Sequence, residues 1–290
     1  MKFPFLGFGV GLRTRHYSHV IKDRPEIDWF EVISENYMVS GGRPLFVLRE
    51  VLKHYPVVMH GVSLSLGSAD PLNFDYLKKL KNLAEWVQPA WISDHLCWTG
   101  IGGKNAHDLL PLPYTEECLA HLASKIKQVQ DFLERPLVIE NVSSYLEYTH
   151  STMTEWDFLS ALTREADCYL LADINNIYVS AKNHSFDPAT YLEALPKNRV
   201  VQFHLAGHSD KGTHLLDTHD HPVKKEVWDL YAKALKLFGP VSTLIEWDEH
   251  IPPFEGLMDE VEKAKKKILG VYEQPFAKNR GTPLELHHRA

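Results

Sequence analysis

Residues 200–221 read VVQFHLAGHSDKGTHLLDTHDH. An apolar run, Val200–Phe203, delivers His204, and His208, His214, Asp217, His219, Asp220 and His221 crowd the seventeen positions that follow. Neutral imidazole and ionised carboxylate are the donors that borderline and hard divalent ions take from a protein. A solvated polar loop would also carry such residues. The choice turns on whether a short apolar run ending on a donor recurs elsewhere in the chain.

It recurs in both directions. Toward the N-terminus stand YLLADINN (169–176), LVIEN (137–141), WISDH (91–95), VVMHG (57–61) and WFEVISEN (29–36); toward the C-terminus stands LIEWD (244–248). A glycine-rich run, LGFGVGL (6–12), precedes them all, which makes eight candidate strands. Between them lie stretches with helical apolar spacing: Arg43–His54, Phe74–Val87, Thr115–Leu133, Thr154–Ala166, Asp187–Ala194, Val223–Leu237 and Glu255–Leu269. Asn73 or Asp75 and Thr115 are the expected caps of their helices, and the region from Ser93 to Pro113 reads as a long polar loop. Eight strands alternating with helices predict a single α/β domain, a (β/α)8 TIM barrel over residues 1–272, with a tail over 273–290. A doubly wound sheet is the weaker reading, because LGFGVGL lacks the last glycine and the helix of a dinucleotide fingerprint.

Composition narrows the function classes. The 290 residues carry a net charge of −7, the opposite of the basic footprint of a nucleic-acid binder. No run of apolar residues is long enough to span a membrane and no leader is visible, so no membrane partner is expected. Three widely spaced cysteines, Cys97, Cys118 and Cys168, argue against a disulfide framework and for a reducing cytoplasm. Cys97 reads best as packing.

In a barrel the strand C-termini share one rim, where catalytic residues gather. The donors there would be Glu35-Asn36, His60, Asp94-His95, Glu140-Asn141, Asp173 with Asn175-Asn176, His204 and Glu246. Any one of them has an ordinary role as a cap or a hydrogen-bonding group. Together they do not, since carboxylates converging without Lys or Arg would repel each other and bind protons. A divalent cation supplies the missing charge, and there are donors enough for two or three. Asp217 and His219, at i and i+2 in an extended loop, project to one side as a further pair.

The strings EVISENYM, MHGVSLSLG, SDHLCWTG, DLLPLPYT, IENVSSYL, ADINNIYVSAKNH, HLAGH and DTHDHPV resemble the multinuclear non-heme iron-dependent oxidases, a family that includes the enzymes modifying methanobactin-type precursor peptides. The resemblance runs from about Gly7 to Lys266. It implies a xylose-isomerase-like barrel with two or three irons, O2 as co-substrate, and a cysteine-containing, ribosomally made precursor peptide presented by a small recognition protein. It places His60, His95 and Glu140 on one iron. Glu140, Asp173, His204 and Glu246 fall on a second, and these four are the candidate catalytic residues. Asp217, His219 and Asn176 fall on a third, with Asn176 standing where methanobactin-producing members carry histidine. Glu35, Asn36, Asp94, His107, His184, His208 and Asp248 are candidates to orient these donors or touch substrate, with Asp108 beside His107. Two alternatives stay open: a zinc or manganese hydrolase or isomerase on the same barrel, and a metal-binding protein without catalysis. An exposed apolar helix face would support a dimer.

Overall fold

The computed structural model describes residues 3–276. Eight parallel strands close into a barrel: β1 (Phe8–Gly11), β2 (Trp29–Ile33), β3 (Val57–Gly61), β4 (Ile92–His95), β5 (Leu137–Glu140), β6 (Tyr169–Asp173), β7 (Val200–Leu205) and β8 (Ser242–Ile245). Each strand pairs with its successor, and β8 closes on β1 through Phe8↔Thr243 and Val10↔Ile245. Nine α-helices are present among the described residues: α1 (Tyr17–Asp23), α2 (Arg43–Val51), α3 (Phe74–Val87), α4 (Glu116–Leu133), α5 (Glu155–Ala166), α6 (Ile174–His184), α7 (Pro188–Ala194), α8 (Lys225–Phe238) and α9 (Phe254–Phe276).

The expected caps form. Asn73 accepts the amides of Asp75 and Tyr76, and Thr115 accepts that of Cys118. The last helix runs through Phe276, past the boundary expected at 272; the remainder of the expected tail, residues 277–290, lies outside the described residues.

Three features depart from the sequence reading, the first being α1 (Tyr17–Asp23), a helix that was not expected. Residues 98–110 form an antiparallel hairpin, Trp98–Ile101 with Lys104–Leu110, where a polar loop was expected. Its second strand is polar and exposed over most of its length, so no core-facing alternation marks it. α6 follows β6 with no loop, because Asp173 ends the strand and caps the helix in one residue, accepting the amide of Asn176 at 2.7 Å.

Side chains in a strand alternate between faces, so parity sorts each strand into barrel lumen and helix layer. Trp29, Val58, Trp91, Val138, Leu171 and Leu244 pack together as a separate buried cluster that plugs the lumen. The intervening residues, among them Phe30, Met59, Ile92, Ile139, Leu170, Ala172, Phe203 and Ile245, belong to the larger core against the helices. Gly9 lacks a side chain where a Cβ would overlap the Trp29 indole, which lets that ring fill the floor. Two residues beyond each floor residue, the same parity brings Glu31, His60, Ser93, Glu140, Asp173 and Glu246 into the lumen. The plug is the floor of the site.

Candidate metal centre

His60, His95 and Glu140 meet at the ends of β3, β4 and β5. Glu140 Oε2 lies 3.1 Å from His60 Nε2 and 3.2 Å from His95 Nε2, and the two imidazole nitrogens are 3.4 Å apart. The far nitrogens are already engaged: His95 Nδ1 faces the Gly61 carbonyl at 3.0 Å, and His60 Nδ1 faces Ser93 Oγ at 2.8 Å. The His95 proton therefore belongs on Nδ1, where only a donor satisfies a carbonyl, and its Nε2 lone pair faces inward.

A second group shares Glu140. His204 Nδ1 lies 2.9 Å from Glu246 Oε2, 3.4 Å from Glu140 Oε1 and 3.9 Å from Asp173 Oδ2. The pair Asn141 and Asp173 is locked by reciprocal bonds, Asp173 N–H to Asn141 Oδ1 at 2.9 Å and Asn141 Nδ2 to the Asp173 carbonyl at 3.1 Å. Asp173 Oδ1 is spent on the helix cap, so Oδ2 is the oxygen left for the lumen.

The loop after β7 contributes a third group. His219 Nε2 is 2.6 Å from Asp217 Oδ1, and its Nδ1 is 3.3 Å from Glu246 Oε2 and 3.2 Å from Asp248 Oδ2. His219 adopts φ +46°, a conformation uncommon for a residue with a side chain. Asp217 is held by Asn175 Nδ2 at 2.7 Å, and its backbone N–H donates to Tyr145 Oη at 3.0 Å. Asn176 gives its Nδ2 to the Asn141 carbonyl at 3.1 Å, and its Oδ1 is buried without a partner. Within each of three sets, His60/His95/Glu140, Glu140/Asp173/His204/Glu246 and His219/Glu246/Asp248, the donor atoms lie within 4.8 Å of one another.

Six buried atoms in this ring have no hydrogen-bond partner: Glu140 Oε2, Asp173 Oδ2, Asn176 Oδ1, His204 Nδ1, His219 Nε2 and Glu246 Oε2. Buried polar atoms in native proteins are paired in the large majority of cases, so six without partners in one ring fit a set of metal donors. The electrostatics agree. Burial opposes the charged form of Glu140, yet His95, His204 and His60 hold its carboxyl well below the usual range. Burial likewise opposes charge on His204 and His219, but surrounding carboxylates raise both well above an ordinary histidine. His60 is pushed up to about 9 by Glu140 and Glu31 against its burial. Burial pushes Asp173 up, and lowers His95 despite Glu140. Without a metal, protons on imidazoles would supply the positive charge that these carboxylates demand.

The ring opens into a cavity of about 250 Å³, walled on its apolar side by Ile33, Val62, Leu109, Val142 and Tyr145. Other expected residues fall elsewhere. Glu35 accepts the Val62 amide and the Tyr76 hydroxyl, Asn36 is exposed, and neither lines the cavity. Asp94 has the opposite strand parity and faces the helix layer, where it accepts the Leu64 amide at 3.2 Å and is pushed up to about 8 by burial and by Glu35. His107 is exposed on the hairpin, while its neighbour Asp108 reaches the cavity mouth. His184 binds Ser144 Oγ at 2.7 Å, away from the cavity. His208 stands one step behind the ring, its Nδ1 2.8 Å from Asn175 Oδ1. Asp248 does reach His219, but it is shared with Arg13. Cys97 is buried, and burial pushes its thiol well up, as packing requires.

Four contributors escaped the sequence reading: Glu31, Gln202, Ser93 and Arg13. Glu31 and Gln202 lie mid-strand with the lumen parity of Trp29 and His204, and alternation within WFEVI and VVQFH is the signal that marks them. Arg13, just beyond β1, lies 3.9 Å from Glu246 and donates to the Trp247 carbonyl at 3.2 Å.

Comparison with known proteins places the chain. A family model described as "RiPP precursor modification enzyme MbnB/TglH/ChrH" matches residues 7–268. A UPF0276 protein of Anaeromyxobacter sp. (strain Fw109-5) is 56% identical over 259 residues, covering 89% of this chain and 92% of the relative. One from Caulobacter vibrioides is 54% identical over 265 residues, covering 91% and 95%. Among solved structures, an L-ribulose 3-epimerase superposes with a TM-score of 0.62 at 11% identity, covering 95% of this chain and 99% of that one. A D-psicose 3-epimerase does so at 0.56 and 9%, covering 93% and 98%. At such identities the likeness establishes the xylose-isomerase-like TIM barrel and nothing about the reaction.

Proposed function

The chain belongs to the precursor-peptide modification family that its residues 7–268 match, and from that premise we propose that it is an O2-dependent oxidase holding two or three irons and acting on cysteine, or a residue beside it, in a ribosomally made peptide. The ring of six orphaned buried donors carries the metal part of this reading. His60 and His95 with Glu140 would hold one ion; Glu140, Asp173, His204 and Glu246 a second; Asp217 and His219 with the Asn176 amide oxygen a third. All are nitrogen or oxygen donors, which suit iron, manganese or zinc. Iron, when bound, supplies an anchor for the substrate thiolate and a means of passing its electrons to O2.

The protein's own part is positioning. The locked Asn141–Asp173 pair and the Asn175–Asp217 bond fix where carboxylate oxygens sit before any ion arrives. A cavity of about 250 Å³ is below the ~300–1,000 Å³ of pockets that enclose drug-sized ligands, so it admits one side chain of a peptide rather than the peptide itself. Its apolar wall would pack against that side chain. Tyr145 and Asp108 stand at the mouth, where the flanking peptide and its presenting partner protein would lie.

The test is metal analysis and absorption of protein from iron-replete cells, followed by O2 consumption with the cysteine-containing peptide encoded beside the gene. Two to three irons, visible charge-transfer absorption and peptide-dependent O2 uptake are expected. Colourless zinc or manganese protein that turns over a sugar or phosphodiester instead would overturn the oxidase reading in favour of an isomerase or hydrolase.

A further inference from the structure

Below the donor ring lies a carboxylate that no ion in the proposed centre uses. Glu31, in the middle of β2, is 1% exposed, and no Lys or Arg among the described residues pairs with it. Its Oε2 accepts Gln202 Nε2 at 2.7 Å and faces His204 Nε2 at 3.2 Å. The Gln202 amide is not free to turn over. Trp91 Nε1 is 2.5 Å from Gln202 Oε1, and an indole N–H can only donate, so the oxygen must face Trp91 and the NH2 must face Glu31 and His204. The chain Trp91–Gln202–Glu31 thus crosses the lumen between β4, β7 and β2, directly on top of the floor.

This arrangement sets two demands on His204 Nε2. Gln202 Nε2, 2.8 Å away, would have it accept a proton; Glu31, an anion, would have it donate one. The first choice puts the ring proton on Nδ1, the atom that faces Glu140, Asp173 and Glu246, where it would block coordination. The second leaves Nδ1 as a bare lone pair. Charge-assisted hydrogen bonds are roughly twice as strong as neutral ones, which favours the second. The lone pair this choice leaves on Nδ1 faces Glu246 Oε2 at 2.9 Å and Glu140 Oε1 at 3.4 Å.

We propose that Glu31 is a positioning residue: by accepting the Nε2 proton of His204 it fixes the tautomer that presents Nδ1 to the Glu140–Asp173–Glu246 carboxylates. The role rests on the metal reading above and extends it one layer down. Removing the partner that orients a metal-bound histidine typically costs 10–100-fold in affinity.

The experiment compares Glu31→Gln with wild type, and Glu31→Asp with Glu31→Asn as a pair of equal length that survives if the longer amide misfolds. Anaerobic Fe(II) titration against a chelator gives the affinities, and 15N NMR of the metal-free proteins, taken at a pH high enough for His204 to be neutral, reads its tautomer. Glu31→Gln should bind its weakest-held ion 10–100-fold less tightly than wild type, with Asn below Asp by a similar factor, and the amide variants should move the ring proton to Nδ1. Affinities within twofold across each pair, or an unchanged tautomer, overturn the role of Glu31. Wild-type protein that binds no iron at all would instead overturn the metal reading, so the two failures are distinct.

Discussion

Glu140 is shared by the first two of the proposed ions, and that makes its replacement quantitatively different from that of a donor to one ion alone. Its Oε2 faces His60 and His95 while its Oε1 faces His204, so Glu140→Gln weakens both groups at once with almost no change in volume. His95→Ala touches only the first group, and Asp217→Ala only the third. With wild type binding three equivalents, the expected retention after gel filtration is about one for Glu140→Gln and about two for each of the others, the counting that follows from treating each ion as held by its own donor set. Stability should track the count. An ion present at 100 times its Kd stabilises the fold by ~2.7 kcal/mol, so Glu140→Gln should forfeit about 5 kcal/mol of metal-dependent stability against about 2.7 for either single-site variant. Metal analysis and chemical denaturation with and without EDTA measure both quantities, and circular dichroism of the EDTA-treated proteins verifies the fold. Equal losses for Glu140→Gln and His95→Ala would refute the shared bridge.

Leu171→Ala, in the lumen floor, should cost about 2–5 kcal/mol in denaturant melts while leaving metal per folded chain unchanged, which separates the plug from the ring it supports. Gly207→Ala should do the reverse in kind: a methyl there meets the His221 carbonyl and, at 2.7 Å, that of Pro222, and the loop carrying Asp217 and His219 must shift. Overpacking of this sort costs about 1–3 kcal/mol, and one metal equivalent should be lost with it. Glu155 gives a pH signature away from the centre. Burial, only partly offset by the Tyr191 and Tyr114 hydroxyls, pushes its carboxyl from 4.5 up to about 7. Because the folded value is the higher one, this group's stability contribution is present below pH 4.5 and lost as pH rises through about 7. At 1.36 kcal/mol per unit the loss is about 3 kcal/mol. Glu155→Gln should lack that slope, and parallel pH–stability curves for the two proteins would sink the assignment.

The barrel was legible because its strands are short, buried on both faces and closed by donors, so VVMHG, LVIEN and YLLADINN announce both the strand and its end. The hairpin at 98–110 was not, because its second strand is largely exposed and nothing in KNAHDLL repeats with the period of a core. α6 was hidden by economy, since Asp173 is at once the last residue of a strand, the cap of a helix and a member of the donor ring, with no turn residues between to mark a boundary. Asp94 shows what strand parity adds to sequence adjacency, whereas Glu35 and Asn36 lie past the end of β2 in the short turn Ser34–Tyr37, where strand parity no longer holds. Asp94 stands beside His95, but a strand turns adjacent side chains to opposite faces, so one residue enters the lumen while its neighbour is buried against the helices.

The same parity explains why the centre can exist at all. Trp29, Val58, Trp91, Val138, Leu171 and Leu244 seal the lumen one layer below residues that would otherwise draw water up the barrel. Glu31, Glu140, Asp173 and Glu246 are therefore desolvated by the very strands that present them, and each gains a strong demand for positive charge. Arg13 meets part of that demand at Glu246 and Asp248, on the side nearest solvent, and no other Lys or Arg pairs with the four among the described residues. A dry floor, four carboxylates and three or four imidazoles leave the chain two ways to balance its interior: protons on the histidines, or cations between them. The partnerless atoms at the centre gather nitrogen and oxygen donors within reach of one another, which is the arrangement the proposed cations would use.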